Sequence, residues 1–236
     1  DFCLSRGLGD VYKRQLRIVN NYYVRGYVIT SSGTTYSNQI EIINNLSIPN
    51  NSEPTDIPGV FANLAGEGTS ENPYIITNDW ELQAMSEDLD AHYRLGRDID
   101  ARGTENWNGG LGFTPIGGDG FDPTPFTGHF DGDEYGIVGL TIDREGSSEF
   151  NEGFNYYIGL FSRTNGAKIH NVVLQDNYIL GKQYVGGVVG HAAGETEIRN
   201  AVVDGITWAR FGLFGGGIIG YMNNGLIYNS STNGDV

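Results

Sequence analysis

The strongest constraint on this chain is that it repeats itself at a fixed interval. The triplets Ile169-His170-Asn171, Ile198-Arg199-Asn200 and Ile227-Tyr228-Asn229 are evenly spaced, since 198 − 169 = 29 and 227 − 198 = 29. Each follows a block rich in glycine and β-branched residues: IGLFS from Ile158, VGGVVG from Val185 and GGGIIG from Gly215. An earlier partial copy, Ile137-Val138-Gly139, stands a slightly longer step before Ile169. Such self-similarity marks stacked repeats, each burying its inward side chains only against its neighbours. An interval of this size suits one coil of a β-solenoid, built from two or three short strands joined by turns. The isoleucine that heads each triplet is expected to point inward, so His170 should face solvent. The third position holds Asn three times and Gly once, the residues that best tolerate positive φ. It is therefore placed at a bend, where Asn171, Asn200 and Asn229 would stack at about 4.8 Å with their amides bonded along the row. A glycan-binding role for these asparagines is the rival reading. Strict register with a core isoleucine favours the ladder.

Composition supports many tight turns between short strands. Gly accounts for 36 of 236 residues, about double the usual share of roughly 7%. The formal charge is −15. Clustered Lys and Arg, which nucleic acid and anionic membrane surfaces require, are missing. No apolar run is long enough to span a bilayer, so no membrane insertion is expected of this stretch. The string Cys3 to Gln15, CLSRGLGDVYKRQ, resembles an adapter-derived artefact of metagenomic translation, and residues 1–15 are set aside as a tail. Without them the charge is 11 − 27 = −16, and the single cysteine, Cys3, goes with them. Neither a disulfide scaffold nor a Cys-ligated metal then remains open.

Residues 16–43 alternate with period two, with Tyr22, Val24, Gly26 and Val28 on one face, a turn at Ser31-Ser32-Gly33 and a return through Tyr36, Asn38, Ile40 and Ile42. This run resembles the last two strands of a fibronectin type III-like domain of bacterial surface proteins, in which Tyr22 would sit at the tyrosine corner. Two strands cannot bury a sandwich core, so the hairpin reads as an orphan. Residues 44–64, rich in Asn, Ser and Pro, read as a linker.

From about residue 65 the chain has a second recognisable block. GTSENPYII (68–76) leads into a helix expected over 79–89, with Asn78 as N-cap, Glu81 three residues on, and Leu82, Met85 and Leu89 on one face. YRLGRDIDA (93–101), FTPIGG (113–118) and PFTGHFDGDEYGIVGLTID (125–143) follow, and then the glycine-bracketed aliphatic pairs at 186–190 and 216–220. In this order the motifs resemble the GLUG-repeat family of bacterial surface and secreted proteins. That resemblance implies an all-β fold over 65–236: a right-handed parallel β-helix-like solenoid with an N-terminal capping helix. It also implies an extracellular setting. Two departures stand out: Ser162 sits where later repeats carry Gly190 and Gly220, and ITWARFGLF (206–214) is an aromatic insert.

The chemical alternative is a carbohydrate-active parallel β-helix, a polysaccharide lyase or hydrolase, with acids on adjacent coils facing a groove. Asp98, Asp100, Asp131, Asp133, Glu134 and Asp143 are the candidates, against the plainer reading of turn formation and capping. Asp131, Asp133 and Glu134 are also weak calcium candidates, although they lack a spaced ligand loop. His92, His129, His170 and His191 show no metal-ligand spacing, and neither a nucleophile elbow nor a phosphate loop occurs. No catalytic residue and no cofactor are assigned. The expected role is non-enzymatic: an adhesive or structural stalk module. Its partner would be a glycan or a cell-surface protein, met by Trp208, Phe211 and Phe214 unless these only pack between coils. The repeat that begins at Gly215 is expected to end as an open edge, with Ile218, Ile219 and Ile227 partly uncovered.

Overall fold

The computed structural model describes residues 27–30, 33–36, 50–118, 122–144, 156–210 and 214–236. The readings of Cys3–Gln15, Tyr22 and Phe211 lie outside these residues. The chain divides into two units, residues 1–44 and 45–236. In the first unit, β1 (Tyr27–Thr30) and β2 (Gly33–Tyr36) pair antiparallel, with Tyr27 opposite Tyr36 and Thr30 opposite Gly33.

The second unit is all-β in class, and the strands of its three sheets pair in parallel. The largest sheet holds β3 (Tyr74–Ile76), β4 (His92–Leu95), β6 (His129–Asp131), β11 (Lys168–His170) and β14 (Val189–Arg199), with β10 (Phe161–Asn165) and β17 (Ile219–Tyr228) also on β14. A second sheet holds β5 (Ile99–Asp100), β7 (Ile137–Val138), β12 (Val173–Gly181), β15 (Val202–Ala209) and β18 (Ser231–Thr232), with β8 (Thr141–Asp143) on β12. The third is β9 (Tyr157–Ile158), β13 (Tyr184–Gly186) and β16 (Phe214–Gly216). From β9 onward, each pass of the chain therefore contributes to all three sheets before the next pass lies beside it.

Register follows the sequence repeat. Ile169 pairs with Ile198, and Ile198 with Ile227. The preceding member is Phe130, not Ile137, whose partner is Leu174 in the second sheet. The expected copy at Ile137-Val138-Gly139 is thus corrected to Phe130-Asp131-Gly132. The step from Phe130 to Ile169 is longer than the later ones, because extra chain separates β8 from β9. Counting back a constant step therefore lands on the wrong sheet.

Backbone bends recur in the same register. Asn171, Asn200 and Asn229 all have positive φ, at 56°, 55° and 51°. A second row comprises Gly166, the pair Gly194-Glu195, and Asn224, also at positive φ. In β14 that pair splits one strand into two arms: Val189–Ala193 lies on β10, and Glu197–Arg199 on β11. Thr196 at the corner donates its hydroxyl to the Ala193 carbonyl at 2.6 Å.

The glycines of the repeat are where neighbouring passes meet backbone to backbone. A Cβ on Gly190 would stand 2.5 Å from Ile158 N, and one on Gly220 2.5 Å from Val185 N. Ser162 stands at the equivalent place one pass earlier, where no described strand of the third sheet precedes β9, and its hydroxyl donates to the buried Ile116 carbonyl at 3.0 Å.

One core runs along the unit, from Ile76 and Leu82 through Phe130, Ile169 and Ile198 to Val203. Its first end is covered by α2 (Asp79–Ala84), which Asn78 caps through its side chain onto Glu81 N at 3.0 Å. Glu81 returns to Thr77 N at 2.6 Å rather than to Asn78 N. The helix is shorter than expected: a 3₁₀ turn (Met85–Glu87) replaces its second half, so Leu82 and Met85 are fully buried while Leu89 is half-buried. Residues 50–64 also differ from the linker reading. They carry α1 (Ile57–Ala62), capped by Asp56, and are pinned by Trp107 Nε1 to the Asn50 carbonyl and Trp80 Nε1 to the Ser52 carbonyl, both at 2.8 Å. Low hydrophobicity hid this segment, since it is held by hydrogen bonds from indoles elsewhere in the chain.

Candidate functional site

Most of the candidate acids are engaged by the fold. Asp98 Oδ1 accepts from Gly136 N at 2.9 Å. Asp100 is buried and forms a two-pronged pair with the Arg102 guanidinium. Asp131 Oδ1 accepts from Asp133 N at 2.8 Å in the turn after β6, and from Asn171 Nδ2 at 2.7 Å. Asp133 itself sits at φ 51°, and Glu134 and Asp143 each have a partner. Among the described residues, no group of three or more His, Cys, Asp or Glu side chains converges on a point that could hold a metal ion. Among the described residues, a groove of about 470 Å³ between Ile57, Gln83, Leu89 and Pro115 is lined by one carboxylate, Glu53.

The asparagine row continues from that turn. Asn200 Nδ2 donates to Asn171 Oδ1 at 2.8 Å, so Asp131, Asn171 and Asn200 form one hydrogen-bonded line across three passes. Asn229, exposed, has the same backbone conformation one pass further on.

Beside this line lies a polar network that sequence reasoning did not foresee. His170 is not solvent-facing as expected; it is 4% exposed. Its side chain is covered by neighbours on adjacent strands: His129 Nε2 lies 3.2 Å from His170 Nδ1, Arg199 donates to the same nitrogen at 2.9 Å, and Glu197 Oε1 is 3.2 Å from His170 Nε2. A guanidinium only donates. Nδ1 is therefore the acceptor, and the proton sits on Nε2, facing Glu197. Tyr228 donates to the same Glu197 oxygen at 2.8 Å, which holds that carboxyl below its ordinary pKa, aided by His170 and Arg199. Burial first, then the Arg199 charge, lowers the His170 pKa; burial and then His170 lower that of His129. Alternation alone could not reveal this, because an outward residue is exposed only if its cross-strand neighbours are small.

A third feature is a row of rings. Tyr157, Tyr184 and Phe214 stack along the third sheet at 5.1 and 4.8 Å, inclined by 22° and 6°. His191 lies between Tyr157 and Tyr221, with centroids 5.5 and 5.2 Å away. Both its ring nitrogens are shielded and without a hydrogen-bond partner among the described residues, and burial, followed by Arg163, lowers its pKa. Phe214, a candidate ligand contact, thus spends one ring face on Tyr184. The signal was present in the sequence as an aromatic residue two places before a glycine: Tyr157-Ile158-Gly159, Tyr184-Val185-Gly186 and Phe214-Gly215-Gly216. Trp208 is different: it is 59% exposed, on β15 beside Leu180 of β12, and Tyr178, 41% exposed, is two residues along that neighbouring strand.

Residues 181–209, which contain β13, β14 and β15, match the family model described as the GLUG motif. These residues carry a GLUG motif. The chain is 35% identical over 180 residues to halomucin of Haloquadratum walsbyi, covering 68% of this chain and 2% of halomucin. It is 36% identical over 124 residues to a protein of Evansella cellulosilytica whose name reads Gly-rich membrane protein, covering 51% and 13% of the two chains. It is 27% identical over 155 residues to an immunoglobulin A1 protease of Streptococcus sanguinis, covering 66% and 7%. The chain thus spans a small fraction of each of these relatives. No solved structure matches it. No helix among the described residues is long and apolar enough to cross a membrane.

Proposed function

We propose that residues 65–236 are a right-handed parallel β-helix-like solenoid serving as a non-enzymatic extracellular repeat module of a large cell-surface protein, as an adhesive or stalk element. The observation that carries this reading is the coincidence of register and chemistry. Isoleucines, asparagines at positive φ, and glycines recur pass after pass, while the acids that would serve a lyase or hydrolase cap turns and pair with Arg102. Relatives many times longer than this chain suit a module repeated within a surface protein. The shared stretch in the immunoglobulin A1 protease fits a repeat that accompanies a catalytic domain elsewhere. The face at Trp208 and Tyr178 is the candidate contact for a glycan or a surface protein. The hairpin at 27–36 fits the end of a separate fibronectin type III-like domain, so the parent would be modular.

The test is an assay of the purified chain on acidic and neutral polysaccharides beside a glycan array. The expected result is no cleavage of any polysaccharide, with any array signal reduced by Trp208→Ala. Chain shortening of a polysaccharide that is lost in Asp100→Asn or Asp131→Asn would overturn the non-enzymatic reading.

A further inference from the structure

The outer face of the largest sheet gathers positive charge that no stretch of the sequence shows. On β4, β6, β11 and β14 the inward residues are Tyr93, Phe130, Ile169 and Ile198, all buried, so the residues on either side of each point outward. Register sets those neighbours in two rows. His92, His129, Lys168 and Glu197 form the first, and Arg94, Asp131, His170 and Arg199 the second. Two carboxylates thus stand among three cations and three of the chain's four histidines, in a protein of formal charge −15. β4 lies between β3 and β6, and β14 between β11 and β17, so the strip is flanked by strands at both ends.

Both carboxylates are already engaged. Asp131 accepts from Asp133 N and from Asn171. Glu197 holds Tyr228 and His170, with Arg199 Nε 3.9 Å away. Arg94 and Lys168, by contrast, are exposed and have no ion-pair partner among the described residues. The imidazoles run in file between the strands: ring centroids of His92 and His129 are 5.3 Å apart, and those of His129 and His170 4.8 Å. We propose that this strip binds the carboxylates of an acidic polysaccharide, a polyuronate, and holds it more tightly as the histidines take up protons. The proposal rests on the adhesive reading above but places the contact on a different sheet from Trp208.

The side-chain network links proton uptake to binding. With His170 neutral, Arg199 spends a donor on its Nδ1. A proton taken from solvent onto Nδ1 removes that acceptor, and a guanidinium has none to offer in return. His129 Nε2, 3.2 Å away, accepts the new N–H, so the pair shares the first proton. Arg199 is then released, and the strip gains a charge and a free donor together. The groups facing this pair are His92, Asp131, Lys168, Glu197 and Arg199, and Glu71 faces His92. Burial is the largest cause of the lowered pKa values of His129 and His170; neighbouring imidazoles and cations add to it, while Asp131 and Glu197 oppose it. A bound carboxylate offsets the same penalty, so protonation and binding assist each other.

Spacing and chemistry select this ligand. Adjacent strands lie about 4.7–4.9 Å apart, and a chain with one carboxylate per sugar carries its charges at intervals of the same order. Guanidinium and imidazolium N–H groups suit carboxylate oxygens, Arg in a two-pronged manner. Nucleic acid, charged at every phosphate, calls for denser Lys and Arg than this strip offers within an acidic surface.

The experiment measures equilibrium binding of the whole chain to oligogalacturonate, with a chelator present, at about pH 5 and about pH 7.5, on either side of the ordinary histidine value. Affinity should be about tenfold higher at the lower pH and should fall with added salt. Lys168→Gln and Arg94→Gln, both at exposed positions, should weaken binding at both pH values. His129→Gln should leave binding at the higher pH unchanged and remove most of the gain on acidification, which separates the strip from a general loss of negative charge. Trp208→Ala should alter neither. Equal affinity at the two pH values, or binding indifferent to Lys168→Gln and Arg94→Gln, overturns the proposal. So does equal affinity for a sulfated polysaccharide or for single-stranded DNA, since the strip would then discriminate no carboxylate. If oligogalacturonate is not bound while another glycan is held in a Trp208-dependent way, the strip fails and the adhesive reading stands. If no glycan is bound by either face, both fail.

Discussion

At the Tyr74 end of the stack, the first strands lie under α2 and the 3₁₀ turn after it, and Leu82 and Met85 are fully buried there. At the Val236 end, strands of the same family lie bare, and Ile227 is 44% exposed. Both ends face the same physical problem, because a stack of parallel strands presents core side chains and unpaired backbone wherever it stops. One end solves it with a short helix, Trp107 and Trp80 tying down residues 50–52, and the Asp56-capped helix α1. At the other, glycine, asparagine and aliphatic residues continue to the edge. The value of a side chain in this fold therefore depends less on its identity than on how many passes lie on either side of it.

The largest test of that contrast is one substitution made at three depths. Ile198→Ala and Leu82→Ala should each destabilise by about 2–5 kcal/mol, as large-to-small changes in packed cores do. Ile227→Ala should cost about 1 kcal/mol or less, because much of its surface is already in water. Denaturant unfolding of the three variants decides it, and equal losses at Ile198 and Ile227 would remove the difference between interior and edge.

A smaller effect separates backbone from side chain in the asparagine row. Asn200→Ala should cost roughly 1–3 kcal/mol, from the lost bond to Asn171 and from placing a Cβ residue other than Asn at φ 55°. Asn200→Gly should recover the backbone part. Asn229→Ala, at the exposed end, should cost less than Asn200→Ala, by the same measurement.

At the covered end, Asn78→Ala removes the cap of α2 and should cost about 1 kcal/mol. If the helix is what closes the stack, this loss should be accompanied by faster hydrogen exchange in β3 and β4 and unchanged exchange in β17.

The gentlest perturbation is pH. His129, His170 and His191 all have pKa values lowered in the fold, by burial first. The unfolded chain therefore binds protons more readily, so their contribution is fully present above the ordinary histidine value of about 6.5 and is lost as pH falls from there through the folded values. Melting temperature should drop on acidification from about pH 7.5 to about pH 5. His170→Gln should flatten that slope, and a profile unchanged in His170→Gln would remove His170 from the account.

Several of these elements were legible before any coordinates. The constant step between triplets set the strand register from Ile169 to Ile227, and Asn78 with Glu81 marked the start of the helix. Two kinds of feature were not legible. The partner of Ile169 in the preceding pass was misplaced at Ile137, because a longer connection between β8 and β9 breaks the constant step. The burial of His170 depends on Arg199, Glu197 and His129, which lie far from it in the chain and meet it only across strands.

By itself, then, the sequence determined what is periodic: which residues head each pass, where positive φ must fall, and where glycine must stand for two backbones to meet. Those are local conditions, met by a residue and its own backbone, and repetition makes them visible. Only the tertiary structure decided the fate of side chains that point away from the core. His170, Tyr184 and Trp208 all lie outside the apolar interior, yet the first is sealed in a polar network, the second stacks between rings, and the third stands in solvent. Their surroundings come from neighbouring passes, and contacts between residues so distant in the chain leave no pattern in any single repeat.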